Sequence, residues 1–274
     1  MSEFKHKHSL GQNFLKDKNV LTKIIDLVDV KENDLIIEIG PGMGALTKYL
    51  KLFHANLLCF EIDTRVEKYL DKFIDDKTKV VFEDFLKVDI NSYLEQYEYN
   101  DLYIIANIPY YITTPIIEKV IDSKIKVKEM VYMVQNELAD RFSAKPGSSN
   151  YGYMSVLLSY YYDVSKCFMV NRKCFDPVPK VDSAIIKFTS KEDINKCDTD
   201  VLFKLVRDSF MMKRKNLWNN LRNYDLEKIE NVLKKYHLSL QDRAEQVSLD
   251  CFIEIAKNLS KWKLTFLIEW IIIL

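Results

Sequence analysis

The sequence predicts an α/β fold, a mostly parallel sheet with helices on both faces, followed by a smaller all-α domain. Short, largely apolar runs (35–39, 57–60, 79–82, 102–106 and 127–134), all but the second containing β-branched residues, alternate with stretches of helical spacing. That alternation marks parallel strands joined by crossover helices. A glycine-rich turn, Gly40-Pro41-Gly42-Met43-Gly44, follows the first of these runs directly. Beyond residue 200 the apolar residues recur at helical spacing alone.

The chain has 274 residues, 48% hydrophobic and 29% charged, enough for one large domain with a sizeable core and a smaller one. Forty basic and 40 acidic residues balance to a formal charge of zero, so only local clusters can speak for or against nucleic acid. Five scattered cysteines without a C-x-x-C pair fit a reducing, cytoplasmic setting and no zinc site. The polar start is unlike a secretory leader. The apolar end, 264–274, is short and interrupted by Glu269, so it reads as a buried or appended segment rather than a membrane anchor.

Taken in order, residues 1–18 form a basic arm, with Lys5, Lys7, Lys16 and Lys18 around a polar-aromatic centre. Such an arm can touch RNA, fold over a ligand, or simply fray. Helical spacing covers 19–29, and the strand 35–39 then runs into the glycine turn and a helix over 45–52. The turn lets a backbone approach a ligand closely, with helix N–H groups aimed at it. Its G-x-G-x-G spacing differs from the dinucleotide fingerprint, and no phosphate-loop lysine follows. Strand 57–60 ends in Glu61, about 20 residues past the turn, where an acid can accept from ribose hydroxyls. A helix over 64–74 and a strand over 79–82 lead to Glu83-Asp84, placed to reach an adenine amine.

The central strand, 102–106, stops at Asn107-Ile108-Pro109-Tyr110. Pro109 holds Ile108 extended and cannot donate to a ladder. An amide, a rigid kink and an aromatic ring thus meet at the carboxyl end of a strand, the edge where open α/β sheets bind ligands. A helix starts at Thr114, and 143–155 is a polar loop that either grips a polynucleotide backbone or is plain surface. Between strands at 166–170 and 184–188, Pro177 and Pro179 stiffen the segment that carries Phe175, as a stacking ring needs. The polar stretch 190–200 is a linker, which sets domains at 1–189 and 190–274. Helices are expected over 201–212, 216–223, 225–236 and 249–262. Lys213-Arg214-Lys215, with Arg207 and Arg222 nearby, is either a solvated face or a phosphate contact.

Glu38-Ile39-Gly40-Pro41-Gly42-Met43-Gly44 together with Asn107-Ile108-Pro109-Tyr110 resembles the class I S-adenosylmethionine-dependent methyltransferases. More narrowly, the chain resembles the ribosomal RNA adenine dimethyltransferase family. Gly11 to Leu15, Asn107 to Pro115, Lys145 to Ser148 with Tyr151-Gly152, Phe175 to Ser183 and Arg243-Ala244-Glu245 share that pattern, over nearly the whole chain except its last dozen or so residues. Within the family, Gly11, Tyr111 to Pro115 and the Lys145 to Gly152 loop are similar to the enzyme that dimethylates two adjacent adenosines in the 3′-terminal hairpin of small-subunit rRNA. The other branch modifies a large-subunit adenosine and confers macrolide resistance.

The resemblance implies a Rossmann-like sheet and S-adenosylmethionine held by Asn13, Leu15, Gly40, Gly42, Glu61, Asp84 and Asn107. It implies catalysis by Asn107, Pro109, Tyr110 and Phe175, on an immature small ribosomal subunit, by a monomer without metal or membrane. A DNA adenine methyltransferase shares the Asn-x-Pro-aromatic logic, but no target-recognition domain is present. A non-catalytic RNA-binding assembly factor is the remaining alternative, and intact Asn107, Tyr110 and Glu61 argue against it.

Overall fold

A computed structural model describes residues 13–260, with the exception of the Tyr110 side chain. The first part of the arm, with Lys5, Lys7 and Gly11, and the apolar tail over 264–274 lie outside the described residues.

The five strands expected in the first half all form. They are β2 (Leu35–Ile39), β3 (Asn56–Phe60), β4 (Thr78–Val81), β5 (Leu102–Asn107) and β6 (Glu129–Gln135). A seven-stranded sheet takes the order β4-β3-β2-β5-β6-β9-β7, with β7 spanning Tyr162–Val170 and β9 Ser183–Ser190. The strands from β4 to β6 pair in parallel, and β9 runs antiparallel to β6. Every residue of β2 is buried, Glu38 included, which is why the sequence there is apolar but for that one acid and shows no alternation. On one face Ile36, Leu57, Tyr103, Ile105, Val131 and Ile185 pack with Leu21 and Ile24 of α1 (Lys18–Ile25) and Leu50 of α2 (Thr47–Leu50).

Several helices are shorter than their sequence spacing suggests. The expected 45–52 helix is α2, continued by a 3₁₀ turn over Lys51–Phe53. The expected 64–74 helix breaks into 3₁₀ turns on either side of α3 (Glu67–Leu70). A helix the periodicity does not suggest, α4 (Ile90–Leu94), starts where Asp89 accepts from the Asn91 amide at 3.1 Å and from the Ser92 hydroxyl at 2.7 Å. Downstream, α5 spans Thr113–Asp122 and α6 Asn136–Phe142.

Two compact units emerge. The first holds the described residues up to Ala139 together with Val164–Ser190. The second holds Asp140–Asp163 and the residues from Lys191 onward. It contains α7 (Tyr153–Tyr161), α8 (Thr199–Ser209), α9 (Leu217–Asn220), α10 (Leu226–Lys235) and α11 (residues 249–260). Asp198 and Asp225 cap α8 and α10 through their side chains. The core of this unit joins Tyr151, Val156 and Tyr160 to Leu202, Leu205, Leu233 and Phe252. The loop at 143–155 therefore packs with the C-terminal helices, and the Gly147 amide donates to the Glu245 carbonyl at 2.7 Å.

This division has a direct consequence for truncation. A chain ending at Ser190 keeps α7 but removes the helices that bury Val156 and Tyr160. Exposing such side chains forfeits about 1.5–3 kcal/mol each. The fragment should be insoluble or lack fixed tertiary packing, as read by soluble yield and near-ultraviolet circular dichroism. A soluble, cooperatively folded fragment would show that α7 does not depend on that core.

Candidate functional site

The register of β2 against β5, Leu35 opposite Leu102 through Ile39 opposite Ala106, brings Gly40 and Asn107 side by side. Strand order reverses here, with β3 and β4 on one side and β6 on the other, so a crevice opens at the carboxyl ends. A cavity of about 340 Å³ fills it, within the range of small-molecule sites. All of its walls belong to the first unit.

Gly40, at φ +72°, faces the end of the neighbouring strand: a Cβ built there would sit 3.6 Å from the Asn107 carbonyl oxygen. Its amide donates to the Phe60 carbonyl at 2.9 Å. Gly42, at φ +56°, lies under the Phe14 ring, and a Cβ there would meet that ring at 2.7 Å. A side chain at either position would be strained by the positive φ, and at Gly42 it would also collide with the Phe14 ring.

Glu61 is buried at the end of β3 and lines the cavity. One carboxylate oxygen accepts from the Gly42 amide at 2.9 Å and the other from the Asp63 amide at 2.8 Å. Burial pushes its carboxyl above the ordinary range, and the Asp63 and Gly42 amides pull it back down. A carboxylate has about four lone-pair positions, so two amide bonds leave capacity for ligand hydroxyls. Asp84 also lines the cavity and accepts from the Leu86 amide at 3.0 Å. Beside it, Glu83 accepts from the Tyr93 hydroxyl at 2.8 Å.

The described end of the arm forms a wall. β1 (Phe14–Leu15) pairs antiparallel with β8 (Phe175–Asp176), setting Leu15 opposite Phe175. The Lys16 amide donates to the Cys174 carbonyl at 2.9 Å, and the Lys16 ammonium meets the Asp176 carboxylate at 2.6 Å. That ion pair is half exposed and contributes at most about 1 kcal/mol. Burial of Leu15 and Phe175 contributes about 1.5–3 kcal/mol each, so apolar contact holds the arm. Asn13, Leu15, Gly40, Gly42, Glu61, Asp84, Asn107, Pro109 and Phe175 all line the one cavity. The Tyr110 side chain lies outside the described residues; its backbone starts a 3₁₀ turn over Tyr110–Ile112, where the Ile112 amide donates to the Pro109 carbonyl at 3.2 Å.

Sequence reasoning misses Phe14, Leu21, Ile62, Phe85, Ile112 and Ile116, which also line the cavity. Their apolar character is shared with any core position, so only the register discloses them. It misses Glu38 as well, a fully buried carboxyl in β2 that accepts from the Cys59 thiol at 3.6 Å.

The five basic residues are exposed and belong to the second unit. Lys213, Arg214 and Lys215 lie in the loop between α8 and α9, and the Lys213 ammonium donates to the Ser149 carbonyl at 3.1 Å. The Arg207 guanidinium sits 5.3 Å from the Tyr153 ring centre. Among the described residues no group of three His, Cys, Asp or Glu could hold a metal ion, and no helix is long and apolar enough to cross a membrane.

Residues 3–261 match the family model described as ribosomal RNA adenine dimethylase. Streptococcus gordonii ribosomal RNA small subunit methyltransferase A is 42% identical over 268 residues, 93% of this chain and 92% of that protein. The Streptococcus pyogenes serotype M18 protein of the same name is 42% identical over 271 residues, 94% of this chain and 93% of its own. Among solved structures, a dimethyladenosine transferase from Plasmodium falciparum superposes with a TM-score of 0.75 at 28% identity, covering 90% of this chain and 98% of that one. The 23S rRNA methyltransferase ErmE superposes with a TM-score of 0.71 at 21% identity, covering 90% and 99%, and shares the fold.

Burial pushes the Glu38 carboxyl from an ordinary 4.5 up to about 7. Between those values the folded chain keeps a proton that the unfolded chain has released, so stability falls as pH rises through the window. The loss amounts to about 3 kcal/mol. Glu38→Gln, neutral at every pH, should show a much flatter stability between about pH 5 and 8, with a residual slope from Glu61. Denaturant midpoints at the two pH values measure it; equal slopes for both proteins would exclude Glu38 as the titrating group.

Proposed function

Because the chain belongs to the ribosomal RNA adenine dimethylase family, we propose that it transfers methyl groups from S-adenosylmethionine to N6 of two adjacent adenosines. The target is the 3′-terminal hairpin of small-subunit rRNA, and the chain acts as a monomer on immature subunits in the cytoplasm. The observation that carries this reading is Asn107-Ile108-Pro109 opening onto the same cavity as the glycine turn and Glu61.

The cavity fits S-adenosylmethionine in volume, in its backbone cradle at Gly40 and Gly42, and in its acids at two strand ends. When bound, that cofactor supplies a methyl group made electrophilic by a sulfonium. Glu61 accepts from ribose hydroxyls with the lone pairs its two amide partners leave, and Asp84 accepts from the adenine amine. Asn13 and Leu15 close the cavity from the arm side.

Adenine N6 is a poor nucleophile, because its lone pair is delocalised into the ring. Within a helix it is out of reach, so the base must be flipped out or already unpaired. The Asn107 side-chain oxygen and the Ile108 or Pro109 carbonyl accept the two N6 hydrogens. Held that way, the nitrogen turns tetrahedral and aims its lone pair into the cavity. After one transfer a single N–H remains, and one acceptor still suffices to orient it for the second. The methylated nitrogen sheds its proton readily, so the chain needs no strong general base. Tyr110 and Phe175 stack on the base, and such stacking contributes about 1–3 kcal/mol per base. Orientation and dipole placement supply the rest.

Labelled methyl transfer to small subunits that lack the modification tests the reading. The wild-type chain should modify them, and Asn107→Ala should lose roughly a hundred- to a thousandfold in turnover, since it removes an acceptor that matters chiefly in the transition state. Its affinity for S-adenosylmethionine, read by calorimetry, should stay within several-fold. A chain that binds subunits without transferring methyl groups would be an assembly factor.

RNA is held, in this proposal, partly by Lys213, Arg214 and Lys215, with Arg207 and Arg222 beside them in the second unit. A triple glutamine variant at 213–215 should bind subunits less tightly while keeping its cofactor affinity. The salt dependence of its binding should flatten by about 0.7–0.9 log units for each phosphate that is no longer neutralised. Coincident slopes for the two proteins would leave the cluster a solvated face.

A further inference from the structure

We propose that Tyr111 is a positioning residue that stacks on the nucleotide flanking the target adenosine, outside the cavity. This rests on the methyl-transfer reading above. Tyr111 lines the cavity and yet is 61% exposed, so its ring stands at the rim with one part toward the crevice and the rest in water. The neighbouring wall residues Ile108 and Ile116 are buried, which leaves the ring no role in closing the core. No hydrogen bond or ring contact engages its side chain among the described residues.

The backbone beneath it is fixed. Tyr111 is the middle residue of the 3₁₀ turn, tied by the bond from the Ile112 amide to the Pro109 carbonyl and continuous with α5. A tyrosine has only two side-chain torsions, so a ring on a fixed turn binds at low entropic cost. The residue lies four positions after Asn107, within about 14 Å along the chain. A base held at Asn107 therefore brings its neighbour on the strand up to this rim. An exposed aromatic face is a sequence-tolerant platform for an unpaired base. Since two adjacent adenosines are modified in turn, the base outside the cavity is itself a substrate, and a platform at the rim holds it while its neighbour reacts.

Steady-state methylation of immature small subunits tests the proposal with wild type, Tyr111→Ala and Tyr111→Phe. Tyr111→Ala should raise KM for subunits by roughly 5- to 150-fold, the loss of one stacked base, with kcat at saturation little changed. Tyr111→Phe keeps the ring and should restore KM to near the wild-type value. Affinity for S-adenosylmethionine and the melting temperature should be the same in all three. An unchanged KM for Tyr111→Ala overturns the proposal. So does a Tyr111→Phe variant as impaired as Tyr111→Ala, because then the hydroxyl makes the contact. Lost cofactor affinity in Tyr111→Ala also overturns it, because the ring would then serve the cavity. If the wild-type chain itself transfers no methyl groups, the functional reading fails first, and this inference falls with it.

Discussion

Gly40 and Asn107 lie side by side because β2 and β5 are adjacent parallel strands in one fixed register. A slip of one residue would turn every side chain of β2 to the opposite face and separate the two ends. The register is secured by burial: Leu35 to Ile39 and Leu102 to Ala106 have no solvent face to offer. From that single pairing follow the crevice, the cradle formed by the glycine turn, and the placement of the Asn107 amide at its edge. Sheet and site are thus one constraint, and stability of the central strands is a condition for the geometry of the crevice.

Glu61 extends this constraint sideways. Its two oxygens tie the glycine turn, through Gly42, to the end of β3, through Asp63. A ligand-facing carboxylate that also pins the turn cannot drift, because moving it would orphan two buried amides. Each orphaned group would cost about 1–3 kcal/mol. The same desolvation that lifts the carboxyl above its ordinary range makes its remaining lone pairs strong acceptors for a ligand.

Much of this is legible in the chain. Fully buried parallel strands write themselves as largely apolar runs without alternation, so β2, β3 and β5 can be read directly, and the polar residues at the ends of β3 and β5, Glu61 and Asn107, with them. The direction of β9 cannot, since an apolar run says nothing about which way its neighbour points. Periodicity overestimates helix length at α2 and α3, where it continues through 3₁₀ turns that share the apolar spacing. The contribution of residues 140–163 to the helical unit is hidden for a different reason. Tyr151, Val156 and Tyr160 look like any buried face, and only long-range packing shows which core they fill. Phe14 stands out in sequence only as the aromatic ring of the basic arm, because its role against the glycine turn exists only in relation to Gly42.

The short ladder between β1 and β8 joins Phe14 and Leu15 to residues more than a hundred positions away. During synthesis the first crevice-forming residues to emerge are therefore among the last to find their partners. At 5–20 residues per second, the arm waits on the order of ten seconds for Phe175 to appear. Until then the glycine turn and Glu61 lack the wall that Leu15 and Phe175 supply. The ligand crevice is thus completed late, well after the central strands have left the exit tunnel.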